Sequence, residues 1–194
     1  MTESAHFHLL QQFEPRLIAA CRALDATVYD PHYLTEEAAE LEQIQANPRS
    51  RVVASYSGHV VGYIEYIPLT TAGFDLFLAT RDQVFDLRIA PSLVSPWRSD
   101  SPVDIYIASM VVHPDMQSKG ISMVLLQGLL RALQSLTCEG YRLGRIGGTA
   151  VSVPGKRFLE TMLGLSLAHD VPGGVAGVGD ADQVLGYLSH YLDW

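Results

Sequence analysis

The chain has 194 residues, a formal net charge of −8 and an apolar content of 48%. This length suits one domain with a substantial core, and no apolar run approaches the ~20 residues that span a bilayer. The N-terminus shows no basic region followed by an apolar core, so we expect a cytoplasmic protein without membrane association. Cys21 and Cys138 each lie on a helix-like apolar pattern, which predicts buried reduced thiols rather than a disulfide or a metal site.

The charge is unevenly distributed along the chain. Between Lys119 and Arg157 there are six basic residues and one acid, a net charge of +5, so the remainder carries −13. A basic segment suits a polyanionic cofactor, and an acidic remainder favours a cationic acceptor and disfavours nucleic acid. The alternative is that these charges only keep the surface solvated.

The first part of the chain reads as a short strand followed by two helices. Alternation from Phe7 to Phe13 predicts the strand, and Glu14-Pro15 opens an amphipathic helix that runs to about Thr27. A second helix is predicted from Leu34 to Gln45, with Thr35 as its N-cap. Residues 29–33, between the helices, border a substrate cleft or form a packed loop.

A hairpin and a long insertion follow. The strand patterns of Arg51–Tyr56 and His59–Ile67 are separated by Ser-Gly and predict an antiparallel hairpin that Pro68 ends. Thr70 to Pro102 is longer than common connections, with helical pieces first and a proline-bearing irregular part after them. Its aromatic content predicts either a lid over an acceptor pocket or an oligomer contact, and hence a possible homodimer.

The centre of the chain predicts a buried strand, a tight loop and a helix. Val103–Val112 has the β-branched density of a strand covered on both faces, and His113-Pro114 ends it. Gly120 permits a tight turn, so the amides of Gln117–Ser122 can point into one space where the next helix begins. A helix N-terminus with free N–H groups binds anions, and Lys119 adds positive charge. An ordinary strand-to-helix turn is the alternative.

The C-terminal part predicts three further strands and one short helix. Arg145–Val153 reads as a strand whose Gly-Gly pair at 147–148 requires another group to come close. Pro154 begins a helix through Leu163, and Leu165–Val171 reads as a strand. The glycine-rich stretch 172–179 is predicted to be a flexible connection. Val184–Trp194 fits a strand or a helix begun by Asp180.

Residues 112–122, Val-His-Pro-Asp-Met-Gln-Ser-Lys-Gly-Ile-Ser, resemble the acyl-CoA-binding motif of the Gcn5-related N-acetyltransferase (GNAT) superfamily. That pattern is Gln/Arg-x-x-Gly-x-Gly/Ala; Gln117 and Gly120 match it, and Ser122 is a small substitute at the last position. The resemblance implies an α/β (α+β) fold with a mixed, mostly antiparallel central sheet flanked by helices. It implies one domain over residues 1–194 with an insertion at about 70–102, and it favours a strand for Val184–Trp194.

The resemblance also implies an activity, the transfer of an acetyl group from acetyl-CoA to a primary amine of a small molecule or a protein, with no metal. It places the CoA pyrophosphate on the amides of the motif loop and the pantetheine arm along the end of the central strand. The implied cofactor-binding residues are Met110, Val111, Val112, Gln117, Ser118, Lys119, Gly120, Ile121, Ser122 and Ser152.

The catalytic candidates are Glu65 as general base, and Tyr106 and Ser109 on the central strand. The alternatives are a plain surface glutamate on the solvent face for Glu65 and a packed or substrate-facing ring for Tyr106. Two positions depart from the family pattern. Glu160 falls where many members carry the tyrosine that protonates the thiolate, and Val153 where an asparagine often contacts the cofactor. These departures keep open a second interpretation, a non-catalytic CoA-binding or regulatory protein with the same fold.

Overall fold

In the computed structural model, residues 5–9, 14–97 and 100–192 are described. Their strands form one seven-stranded sheet in the order β1-β2-β3-β4-β5-β7-β6, in which β4 and β5 are parallel and all other neighbours are antiparallel. The predicted mixed, mostly antiparallel sheet is confirmed. The strands are β1 (His6–Leu9), β2 (Arg51–Tyr56), β3 (His59–Leu69), β4 (Val103–Val112), β5 (Leu143–Ala150), β6 (Ser166–Val171) and β7 (Gly174–Asp180).

Helices cover both faces of the sheet. They are α1 (Pro15–Val28), α2 (Glu37–Ala46), α3 (Thr71–Ala79), α4 (Ile121–Cys138), α5 (Val153–Arg157) and α6 (Ala181–Leu192), and a π-helical turn (Phe158–Met162) continues α5. Short 3₁₀ turns lie at Pro31–Tyr33, Phe85–Arg88, Pro91–Leu93 and Pro114–Met116.

The first face is covered by α4 and α6. Leu125, Leu129 and Leu133 of α4 are completely or almost completely buried in the largest hydrophobic cluster, because they recur at helical spacing on one side of the helix. In the described part of the chain, α4 is the one helix whose length and composition would also suit a membrane span. Here eight of its residues are buried within the fold.

The second face is covered by α1 and by the insertion. Phe74 and Phe77 of α3 pack beside Phe85 and the ring of Tyr106 on β4. A Cβ at Gly147 of β5 would lie 2.5 Å from Cε1 of Phe77, which confirms that a neighbouring group comes close there. The predicted helical pieces of the insertion are therefore present, and their aromatic side chains form part of the core.

Several sequence predictions for local structure are wrong. The second helix begins at Glu37, with Glu36 rather than Thr35 at its N-cap. Pro68 does not end the hairpin, since β3 continues to Leu69 and Pro68 pairs with Ile105. Cys138, at the end of α4, is exposed rather than buried. The first predicted strand is observed at His6–Leu9, and positions 10–13 lie outside the described residues.

Two predictions for the C-terminal part are also wrong. Residues 174–179 of the supposed flexible connection belong to β7, which is inserted between β5 and β6. This strand has no room for a side chain at Gly174, because a Cβ there would lie 2.2 Å from the carbonyl oxygen of Ala150. The predicted last strand is instead the helix α6, and positions 193–194 lie outside the described residues. The Asp180 carboxylate accepts hydrogen bonds from the N–H groups of Asp182 (3.0 Å) and Gln183 (3.4 Å), as a helix N-cap does.

Candidate active site

The sheet opens at the end of β4. The register with β3 shifts between Glu65 and Tyr66, which leaves Ala108 of β4 as the extra residue of a β-bulge. On the other side, pairing of β4 with β5 ends at Ile107 and Gly148. Beyond that point β5 pairs only with β7, so the two parallel strands diverge. Bulges and diverging strands leave backbone groups free for a ligand.

A cavity of ≈390 Å³ fills this opening. Seven of the ten predicted cofactor-binding residues line it: Met110, Val112, Gln117, Ser118, Ile121, Ser122 and Ser152. The side chain of Val111 points to the opposite face, where it packs in a cluster with Cys21 and Tyr63. Lys119 is exposed and Gly120 forms the N-cap of α4.

The loop before α4 presents a series of backbone amides. Ser118 and Gly120 have φ values of 61° and 78°, so two of the loop's residues adopt the left-handed conformation. Within the described residues, the N–H groups of positions 118–122 have no hydrogen-bond acceptor. A Cβ at Gly120 would have no atom within 4 Å, so open space lies beside the loop. This arrangement suits an anion.

A second, smaller cavity of ≈90 Å³ adjoins the first. Both are lined by Tyr29, Ala108, Ser109, Thr149 and Val151, so they meet at the bulge. The smaller cavity lies between α1, α2 and the insertion, which contributes Val84, Asp86 and Ile89 to its wall. The insertion thus forms one wall of this cavity. Its predicted roles, as a lid over an acceptor pocket or as an oligomer contact, stay predictions.

The smaller cavity is lined by four acidic side chains, Asp25, Glu40, Glu65 and Asp86, and by Arg22. Two of the acids are neutralised. Arg51, which is 1% exposed, donates from Nε (3.0 Å) and Nη2 (2.9 Å) to Oε1 of Glu65 and also binds Glu40, which in turn pairs with Arg22. Burial raises the pKa of Glu65, and the Arg51 guanidinium opposes that rise. The predicted general base is therefore one side of a buried ion pair.

The other two acids have no cation within ion-pair distance among the described residues. The hydroxyl of Tyr63 donates to Oδ1 of Asp25 at 2.6 Å, and the hydroxyl of Tyr106 donates to Oδ2 of Asp86 at 2.9 Å. Burial raises the pKa of each carboxyl to about 7. Sequence reasoning missed both residues, because Asp25 lies on an ordinary helix and Asp86 in an irregular segment.

Tyrosine and hydroxyl groups occupy the junction. Burial raises the pKa of Tyr29 to about 12, so its hydroxyl stays protonated at neutral pH. The ring of Tyr106 is fully buried and packs against Phe77 and Phe85, with its hydroxyl 3.0 Å from Oγ1 of Thr149. Tyr106 is thus a packed residue that contacts junction groups, whereas Ser109 lines both cavities itself.

The positions that depart from the family pattern do not form the junction. Glu160 is exposed on the π-helical turn, and Val153 is 84% exposed at the start of α5. The hydroxyl of Ser152, next to Val153, accepts a hydrogen bond from the N–H of Gly155 at 3.1 Å and so caps α5. In the described structure, Tyr29 is the tyrosine that lines both cavities. Residues 29–33 were predicted to border a substrate cleft or to form a packed loop, and Tyr29 and Tyr33 do line the smaller cavity.

Solved structures similar to this one share the fold at low sequence identity. The loading GNATL domain of CurA from Lyngbya majuscula has a TM-score of 0.65 and 11% identity, with 93% of this chain and 99% of that chain covered. The GNAT family N-acetyltransferase YhbS from Escherichia coli, in complex with CoA, has a TM-score of 0.56 and 17% identity, with 95% and 86% covered. The GNAT-like decarboxylase GphF, in complex with isobutyryl-CoA, has a TM-score of 0.61 and 14% identity, with 90% and 98% covered.

Comparison with a family model agrees with the comparison of folds, although no curated protein sequence matches the chain. The family model described as "Acetyltransferase (GNAT) family" matches residues 18–164, which include the bulged strand, the amide loop and both cavities' central residues. The chain belongs to the GNAT acetyltransferase family.

Proposed function

We propose that this protein transfers an acetyl group from acetyl-CoA to the primary amine of a small molecule or a protein. The observation that carries the proposal is the pair of cavities that meet at the β4 bulge, one beside free backbone amides and the other lined by carboxyl groups. Family membership supports acyl transfer. The acetyl donor and the amine acceptor are the parts that we propose.

The larger cavity is the proposed site for acetyl-CoA. The pyrophosphate would be held by the N–H groups of residues 118–122 and the dipole of α4, with Lys119 adding charge from outside. The pantetheine arm would lie along Met110 and Val112, where β4 has left β5. The thioester carbon would then reach the bulge, which is the junction of the two cavities.

The smaller cavity is the proposed site for the acceptor. Asp25 and Asp86 are the acids there without a cationic partner in the described structure, and a carboxylate buried without one is unstable. An ammonium group would supply the missing charge, so a cationic primary amine is favoured over a neutral or anionic molecule. A polyanion such as nucleic acid is disfavoured by the same charges. The small volume suits a small amine or a single amine-bearing chain end.

The chemistry needs a base for the ammonium and a proton donor for the departing thiolate. Glu65, predicted as the base from the sequence, lines the acceptor cavity but is committed to Arg51. For the acid we propose Tyr29, because its hydroxyl stays protonated and it borders both cavities. Ser109, also at the junction, is proposed to bind the acceptor or the carbonyl oxygen by hydrogen bonding.

Two measurements test this function. Thermal-shift titration with acetyl-CoA should raise the melting temperature, since a ligand that binds only the folded state stabilises it. A thiol-release assay should then show turnover with small cationic amines and little with amino acids or neutral amines. Stabilisation without turnover for any amine would favour the non-catalytic, regulatory alternative. No stabilisation by acetyl-CoA or CoA would refute both.

A further inference from the structure

A chain of three hydrogen-bonding side chains connects the cavity junction to the insertion. Thr149 on β5 borders both cavities, and its Oγ1 lies 3.0 Å from the hydroxyl of Tyr106 on β4. That hydroxyl lies 2.9 Å from Oδ2 of Asp86 in the insertion. Since both distances are those of good O–H···O bonds, the three groups form a continuous path for a proton.

The direction of these bonds follows from the number of protons. The hydroxyl of Tyr106 has one proton, and an ionised Asp86 can only accept, so Tyr106 donates to Asp86. Tyr106 must therefore accept from Thr149, whose own oxygen keeps lone pairs for a donor at the junction. In this state the path is arranged to receive a proton from a cation bound at the junction.

We propose that Thr149, Tyr106 and Asp86 form a proton relay that takes the proton of the acceptor's ammonium group from the cavity junction to the insertion. This inference rests on the proposed acetyl transfer. Thr149 is the residue that touches the amine, Asp86 is the final proton acceptor, and Tyr106 is a positioning residue that joins them. The relay assigns the role of base to a group that the insertion supplies, and removes it from Glu65.

The proton and electron count of the step balances. The ammonium gives one proton to Thr149, Thr149 gives its hydroxyl proton to Tyr106, and Tyr106 gives its hydroxyl proton to Asp86. Asp86 is then protonated and the amine is neutral. The nitrogen lone pair forms a bond to the thioester carbon, the C–S bond breaks, and the electron pair leaves on sulfur. Tyr29 protonates the departing sulfur. The nitrogen carries one proton too many after the new bond forms, and it returns that proton to Tyr29. Asp86 releases its proton to water through the smaller cavity.

The surroundings of Asp86 suit a final proton acceptor. The titratable groups that face it or share its cavity come from every element packed around it: Arg22 and Asp25 on α1, Tyr29 and Tyr33 after α1, Glu40 on α2, Tyr63 and Glu65 on β3, and Tyr106 on β4. Burial and the charge of Glu65 raise the pKa of Asp86, and the bond from Tyr106 lowers it, giving about 7. An acceptor with a pKa near the working pH is the most effective base. Glu65 differs, because Arg51 holds its Oε1.

The pH dependence of kcat/KM tests the relay, with acetyl-CoA and the best amine of the panel. For the wild-type protein we expect log(kcat/KM) to rise with unit slope to a break near pH 7. Tyr106→Phe and Thr149→Val should abolish that break and lower kcat about 100-fold with KM nearly unchanged, since general base catalysis contributes 10²–10⁴-fold. Thr149→Ser, which keeps the hydroxyl, should restore both. Asp86→Asn should also abolish the break, whereas Asp25→Asn should keep it.

Matched controls separate a relay from a structural effect. Tyr187→Phe on α6 removes a hydroxyl that donates to the carbonyl oxygen of Thr161 at 2.8 Å. Tyr187 lines neither cavity, so this change should leave the pH profile unchanged. Acetyl-CoA binding and thermal unfolding of each variant confirm that it is folded. An unmoved break in Tyr106→Phe and Thr149→Val would overturn the relay and leave acetyl transfer standing. A wild-type protein that turns over no amine would overturn the proposed function and the relay with it.

Discussion

Replacing Asp86 by asparagine should make the protein more stable at high pH. The pKa of this carboxyl rises from 3.8 in the unfolded chain to about 7 in the folded protein, because burial disfavours the charged form. Between these values the native state holds a proton that the unfolded state has lost, so wild-type stability falls as pH rises, by about 1.4 kcal/mol per pH unit for this group. Below pH 4 there is no penalty, and above pH 7 it is complete.

The full penalty is roughly 4 kcal/mol at 1.36 kcal/mol per pKa unit. Because Asp86 borders a cavity, solvent screening reduces this penalty, and we expect about 1–3 kcal/mol. Asparagine keeps the acceptor oxygen for Tyr106 and carries no charge. Urea unfolding at pH 4, 5, 6, 7 and 8 should therefore give two curves that coincide at the acid end and separate steadily above pH 5, with the variant the more stable.

Asp115→Asn is the matched control, because it removes one carboxylate whose side chain is 90% exposed. Its curve should run parallel to that of the wild-type protein. If Asp86→Asn also runs parallel to the wild-type protein between pH 5 and 8, the carboxyl is not buried without a cation as we describe. Asp86 would then lack the raised pKa that suits a proton acceptor.

Three further substitutions test the amide loop, the packing at Gly147 and the buried ion pairs of Arg51. Gly120→Leu forces a left-handed φ of 78° on a residue with a Cβ and fills the space beside the amide loop, so isothermal titration should show acetyl-CoA affinity reduced at least 10-fold; unchanged affinity would remove the loop from the cofactor site. Gly147→Ala places a Cβ 2.5 Å from the buried Phe77 ring and should cost about 1–3 kcal/mol in urea unfolding, unlike Gly186→Ala, where no atom lies within 4 Å. Arg51→Met leaves buried Glu40 and Glu65 without their shared cation and should lower the free energy of unfolding by about 3–5 kcal/mol at pH 7. A smaller loss at pH 7 than at pH 5 would contradict the pairing of Arg51 with ionised carboxylates.

The fold could be predicted where the order of apolar and polar side chains indicates which faces of an element are buried. The hairpin of β2 and β3, the central β4 and the amphipathic α4 all show hydrophobic patterns of the period that their structure requires. The pattern fails at β7, whose glycines make room for Ala150 and Leu165 and so show no alternation. It fails again at α6, where the wrong choice came from the family resemblance although Asp180 offered a correct helix N-cap.

The candidate site could be predicted in part. The amide loop that we propose as the CoA site lies within one continuous stretch, so its order of strand, turn and helix could be predicted from the sequence. The smaller cavity combines residues far apart in the chain, such as Asp25, Glu65 and Asp86, and nothing local distinguishes them from surface acids. Whether an acid is neutralised depends on its partner in the fold. Arg51 and Tyr106 meet their carboxyl partners only through the pairing of β2, β3 and β4.

The placement of β7 between β5 and β6 has a consequence for synthesis on the ribosome. β5 carries one wall of the larger cavity, and its outer edge is paired, from Arg145–Asp180 to Ala150–Val175, only by β7. Domains generally fold as units during synthesis. The opening between β4 and β5 therefore acquires its final shape only after residues 174–180 have emerged. The proposed acyl-CoA ligand would stabilise the chain from that point on and give no such support to a shorter nascent chain.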